Sequence, residues 1–138
     1  MNNDVQHILT HCRTVAVVGL SPKTHRDSYE VAEYLQSHGW RIIPVNPLAK
    51  VPSILGERVY GSLTEAAAHE NIDLVDCFRN SEDIPPIVDE AIALGLGAVW
   101  MQLGIEHAEA AAKAREAGLR VVENRCIKID LARFQASA

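Results

Sequence analysis

The chain is poor in aromatic residues, which make up only 5% of its 138 positions. A core must therefore be filled by Val, Ile, Leu and Ala, and a hydrophobic fraction of 48% is enough for one compact domain over residues 1–138. Three cysteines, Cys12, Cys77 and Cys126, are too few and too scattered for a disulfide framework, so reduced thiols and a cytoplasmic setting are expected. No apolar run approaches the roughly 20 residues needed to cross a bilayer, so no membrane role is expected. The opening MNNDVQHILTHCRTV is polar and carries an acid, unlike a secretory or transit segment. Excess positive charge is also missing. The net charge of −5 argues against nucleic acid as a partner, because such binding displaces counterions with a basic face. It leaves room for a small anionic ligand, which needs only a few local cations.

What the chain does have is an alternation of short apolar runs and longer amphipathic segments. The runs are TVAVVGL (14–20), WRIIPV (40–45), IDLVD (72–76), AVWM (98–101) and LRVV (119–122). Near-continuous apolar strands suit a parallel sheet covered on both faces. Helices are expected at Ser28–His38, Thr64–His69, Ser81–Leu94 and Glu106–Ala117, with Ser28, Thr64 and Ser81 as capping residues. Residues 4–11 and 127–134 read as a leading and a closing helix. The alternation predicts an α/β, Rossmann-like doubly wound fold, with a mainly parallel five- to six-stranded sheet and helices on both faces. Ligands of such sheets bind at the carboxyl ends of the strands, which selects loops 20–28, 46–52, 77–81 and 102–106.

The first of these loops, with its flanks, reads GLSPKTHRDS over residues 19–28 and runs into a helix. Free amides and the dipole at a helix start attract anions. Ser21, Lys23, Thr24, Arg26 and Ser28 add hydroxyls and fixed charge, although a solvated surface loop would look similar. An NAD site would show G-x-G-x-x-G and an acid about 20 residues further on. Here only Gly19 is present, and the second strand ends on Asn46-Pro47. A P-loop is absent too. A more heavily phosphorylated ligand such as coenzyme A fits the charge, which alone does not separate it from NADP or another nucleotide.

The stretches VAVVGLSPKTHRDSYEVAEYLQSHGWRIIPVNP, ILGERVYGSL, DLVDCFRNSEDIPPIVDEAIALG, AVWMQLGI and AREAGLRVVENRCIKID cover nearly the whole chain. In combination they resemble the small stand-alone CoA-binding proteins, relatives of the CoA-binding domain of the succinyl-CoA synthetase alpha subunit. The V-N-P, D-x-F-R and W-M-Q-L-G elements carry most of that resemblance. One departure is in the first loop, where Pro22 comes early and His25, not proline, precedes Arg26. The resemblance implies coenzyme A laid across the strand ends. Gly19, Ser21, Lys23, Arg26 and Ser28 would face phosphates, and Asn46 and Pro47 would border the adenosine end. Phe78 and Arg79 would flank the cofactor, with Gln102 and Gly104 as further lining residues.

Other constellations have plainer readings. Arg79 could instead pair with Asp76 or Glu82, and Asn46-Pro47 could simply end a strand. His7 and His11 share a helix face but lack the third ligand that a zinc site needs, and Cys12 points about 100° away around the helix. Trp100 and Met101 read as core or interface. Cys77 and Cys126 could accept an acyl group or be oxidised, but inert buried thiols are the expectation. Asp73 and Asp76, three apart in a strand, should face opposite ways and form no acid–base pair. No catalytic constellation is found, so a non-catalytic carrier, sensor or regulatory module for CoA or an acyl-CoA is expected. The alternatives are a CoA-handling component of a ligase or thioester-transfer enzyme with a partner subunit, and an NAD(P)-responsive regulatory domain. A protein partner or homo-oligomer fits any of these.

Overall fold

The structure, a computed structural model, describes residues 2–137. In chain order its strands are β1 (Thr14–Val18), β2 (Arg41–Val45), β3 (Ser53–Ile54), β4 (Glu57–Arg58), β5 (Leu74–Cys77), β6 (Ala98–Met101) and β7 (Arg120–Val122). The helices are α1 (Asn3–His11), α2 (Asp27–Ser37), α3 (Leu63–His69), α4 (Ile84–Ala93), α5 (Ala108–Glu116) and α6 (Ile127–Ala136). Five strands form one parallel sheet in the order β2-β1-β5-β6-β7. The expected α/β architecture with helices on both faces is therefore present. The strands β3 and β4 make a separate antiparallel hairpin that the apolar pattern did not reveal, because two-residue strands have no period to read.

Alternation along each strand sorts the side chains between two layers. One face sends Ala16, Val18, Val75, Cys77, Val99 and Met101 against α3, α4 and α5. The other sends Val15, Val17, Leu74, Ala98 and Trp100 against α1, α2 and α6. Because both faces are covered, β1, β5 and β6 are buried almost throughout, as their continuous apolar sequences require. Each fully buried aliphatic side chain contributes about 1.5–3 kcal/mol. Trp100 is buried without cost to its indole N–H, which donates to the Arg125 carbonyl at 2.8 Å.

Three residues expected to cap helices bond elsewhere. α2 begins at Asp27, with Arg26 at the cap position and no side-chain cap bond. Ser28 is buried, and its hydroxyl accepts from the Ser21 amide at 3.0 Å. α3 is capped by Ser62, while the Thr64 amide and hydroxyl both donate to Glu90. Ser81 opens a single 3₁₀ turn ahead of α4, and its hydroxyl accepts from the Glu106 amide at 3.1 Å. The Thr64 and Ser81 hydroxyls join segments distant in sequence, while that of Ser28 closes its own loop, and a local reading assigns all three to caps.

Candidate binding cleft at the strand ends

The chain leaves β1 toward β2 on one side and returns to β5 on the other, so the switch point lies between the carboxyl ends of β1 and β5. Gly19 occupies it. Its amide donates to the Val45 carbonyl, and the Phe78 amide donates to the Val18 carbonyl, both at 2.8 Å. Gly19 has φ +91°, and an added Cβ would collide with the Phe78 carbonyl oxygen and lie 3.0 Å from Arg79 Cδ. No other residue type fits there.

The following loop is tied to itself. Besides the Ser28–Ser21 bond, the Lys23 amide donates to the Ser21 hydroxyl at 3.1 Å. Asn46 Nδ2 donates to the Leu20 carbonyl at 2.9 Å, and Asn46 Oδ1 accepts from the Leu48 amide at 2.9 Å. The first amides of α2 have no helical carbonyl to bond, and no side chain caps them. Around this helix start a cleft of about 670 Å³ is lined by Gly19, Ser21, Lys23, Arg26, Ser28 and Asn46. Lys50 also lines it, a cation that sequence reading missed although it stands only four positions beyond Asn46. Among the described residues, Lys23, Arg26 and Lys50 take part in no ion pair.

Phe78 is the partition. It lines this cleft and, with Asp27, also a second one of about 970 Å³ between the starts of α2 and α6. Arg79, Gln102 and Gly104 line the second cleft, together with Val31, Ile105 and Cys126, which were not anticipated there. Arg79 pairs with Asp83 at 3.6 Å, not with Asp76 or Glu82. Gln102 is buried and accepts from the Ile127 amide at 3.2 Å, and the Gly104 amide donates to Asn124 Oδ1 at 2.6 Å. Pro47 joins neither cleft; it lines a smaller cavity of about 270 Å³ beside Val18, Leu63 and Ile87. Leu48, Leu103 and Ile129, the exposed large apolar residues among those described, all sit on the walls of the two clefts.

The model of the CoA binding domain family matches residues 13–132. The chain belongs to that family. This CoA-binding domain is 35% identical over 126 residues to the uncharacterized protein YneT of Bacillus subtilis, covering 91% of this chain and 90% of YneT. Among solved structures it is similar to a hypothetical protein from Pyrococcus horikoshii, with 37% identity, a TM-score of 0.89, and 98% and 92% of the two chains covered. A Thermus thermophilus protein is similar at 33% identity and a TM-score of 0.88, covering 97% and 99%.

Two carboxylates of the CoA-binding domain have opposite fates. Asp73 precedes β5, and its Oδ2 accepts from the amides of Arg13 and Thr14, each at 3.0 Å. Asp76 lies wholly inside, neither carboxylate oxygen has a hydrogen-bond partner, and burial holds its acid well above the usual carboxylate range. The thiols also divide. Cys12 and Cys77 are buried, and burial pushes Cys12 up to about 11 and Cys77 up as well. Cys126 is only half-buried and lines the second cleft, so the expected burial fails for it.

Proposed function

We propose that this chain is a non-catalytic CoA module that carries, senses or buffers CoA or an acyl-CoA, with loop 20–28 gripping the phosphates. The observation that carries this reading is the first cleft: unpaired Lys23, Arg26 and Lys50 around an uncapped helix start at the switch point. Arg26 can fork onto phosphate oxygens while the lysines act as point charges. Leu48 and Val51 offer the same cleft an apolar wall for an adenine ring. Phe78 then stands where the pantetheine arm would leave for the second cleft, whose walls include Val31, Ile105 and Ile129. A passive role is supported by the separation of Asp73 and Asp76, which removes the carboxylate pair that acid–base chemistry would use.

Calorimetry with CoA, 3′-dephospho-CoA, NAD and NADP tests the ligand. CoA should bind tightest, and the Lys23→Glu/Arg26→Glu double variant should lose about 100-fold or more in affinity, since each charged contact is worth about 1.5–3 kcal/mol. Its urea midpoint should stay put, because neither cation is paired within the protein. Equal or tighter binding of NAD, or a double variant that still holds CoA at full strength, would overturn the reading.

A further inference from the structure

The second cleft and the layer beneath its wall hold two groups that phosphate binding leaves unused. The first is Asp76. In register it lies between Val17 of β1 and Trp100 of β6, on the face turned toward α2 and α6. Two positions further along that face stand Phe78 and Gln102, both on the cleft wall. The carboxyl group therefore sits one pleat beneath the wall, fully buried and without a partner. Leaving a buried polar group bare costs about 1–3 kcal/mol, and nothing in the protein recovers it.

The second is Cys126, the residue before α6. Its backbone is held from both sides: the Arg125 amide donates to the Met101 carbonyl at 3.3 Å, and the Ile127 amide donates to Gln102 Oε1 at 3.2 Å. Asn124, at φ 55°, turns the chain into this position and accepts from Gly104. With Cys12 and Cys77 sealed in the core, Cys126 is the thiol offered to the cleft among the described residues. Cys126 stands at the cap position of α6, and Lys128 lines the same cleft with its ammonium 5.3 Å from the centre of the Tyr34 ring.

We propose that the second cleft receives the sulfur-bearing end of the ligand and that Cys126 forms a mixed disulfide with it, starting from CoA disulfide. This rests on the CoA reading. The Cys126 thiol gives its proton to solvent, and the thiolate attacks one sulfur of the incoming disulfide. A Cys126–S–S–CoA bond forms, the original S–S bond breaks, and the departing CoA thiolate takes up a proton. The disulfide supplies the oxidation, so no other oxidant enters. The bare Asp76 carboxyl, one pleat beneath Phe78 and Gln102, offers a donor and an acceptor that the amide of the arm would reach only by displacing that wall.

The test incubates reduced protein with CoA disulfide, glutathione disulfide and hydroxyethyl disulfide, following intact mass over time and mapping the modified peptide. Calorimetry of the reduced wild type with CoA runs in parallel. One CoA adduct per chain is expected, on Cys126, released by dithiothreitol and absent from Cys126→Ser. It should form about tenfold or more faster than the hydroxyethyl adduct, because binding orients the sulfur, and adenosine 3′,5′-bisphosphate should remove that advantage. If CoA binds but the adduct fails to form, falls on Cys12 or Cys77, or forms equally fast with all three disulfides, the mixed disulfide is overturned and the binding reading stands. A protein that neither binds CoA nor discriminates among the disulfides overturns both.

Discussion

At the amino-terminal end of the sheet, Arg41 opens β2 within 3.4 Å of Glu57 and 2.9 Å of Glu70, and Arg120 opens β7 at 3.3 Å from Asp4. Asp73 there accepts from two backbone amides. At the carboxyl-terminal end, Lys23, Arg26 and Lys50 surround one cleft without a carboxylate partner, and the Asp76 carboxyl lies under the next one without any partner. A parallel sheet makes this asymmetry possible, because all five strands bring the same end to the same side. One end settles its charges internally and contributes to folding. The other pairs Arg79 with Asp83 and Arg125 with Asp130 but leaves Lys23, Arg26, Lys50 and Asp76 without a charged partner.

The largest effect should come where the carboxyl end does bear on folding. Gly19→Ala forces a Cβ into the Phe78 carbonyl at a positive φ, so it should cost about 3–5 kcal/mol in urea unfolding. Gly39, at φ +88°, has nothing within 4 Å of an added Cβ, and Gly39→Ala should cost only about 1–2 kcal/mol. Equal losses at the two sites would mean that conformation alone, and not the close approach of β1 to the β5 loop, governs Gly19.

The sheet and the first cleft were legible because their signals are local: continuous apolar runs for buried strands, and a hydroxyl- and cation-rich loop ahead of a helix. What failed was non-local. Thr64 and Ser81 look like caps, yet their hydroxyls meet Glu90 and Glu106, 26 and 25 residues away, contacts that exist only once the chain has folded. Asn46 and Pro47 are adjacent, but they leave the end of β2 toward different cavities, so one joins the cation cleft and the other does not. Cys126 was misjudged because its exposure is set by where α6 docks, which no neighbour in sequence announces.

Asp76 sharpens the comparison through pH. Its acid is raised in the folded state, by burial, while the unfolded chain releases its proton near the ordinary value of about 3.9. Above that value the unfolded state binds fewer protons than the folded one, so stability falls as pH rises, by about 1.4 kcal/mol per unit until the folded group ionises. The contribution is complete below the unfolded pKa. Asp76→Asn cannot ionise, so its stability relative to wild type should climb from pH 4 upward in urea titrations. Parallel curves for the two proteins would mean that the carboxyl is satisfied after all.

The smallest effect belongs to the end that is already settled. Asp73→Ala removes the acceptor for the Arg13 and Thr14 amides and should cost about 0.5–1.5 kcal/mol, because water can replace part of what is lost at an exposed position. Arg26→Ala, at the opposite end, breaks no internal bond of its side chain and should shift the urea midpoint by less than about 0.5 kcal/mol. The two variants should then exchange ranks when CoA affinity is measured, with Arg26→Ala weakened and Asp73→Ala close to wild type. A cation whose removal unfolded the protein would already be at work within the fold, and the division between the two ends of the sheet would fail at that residue.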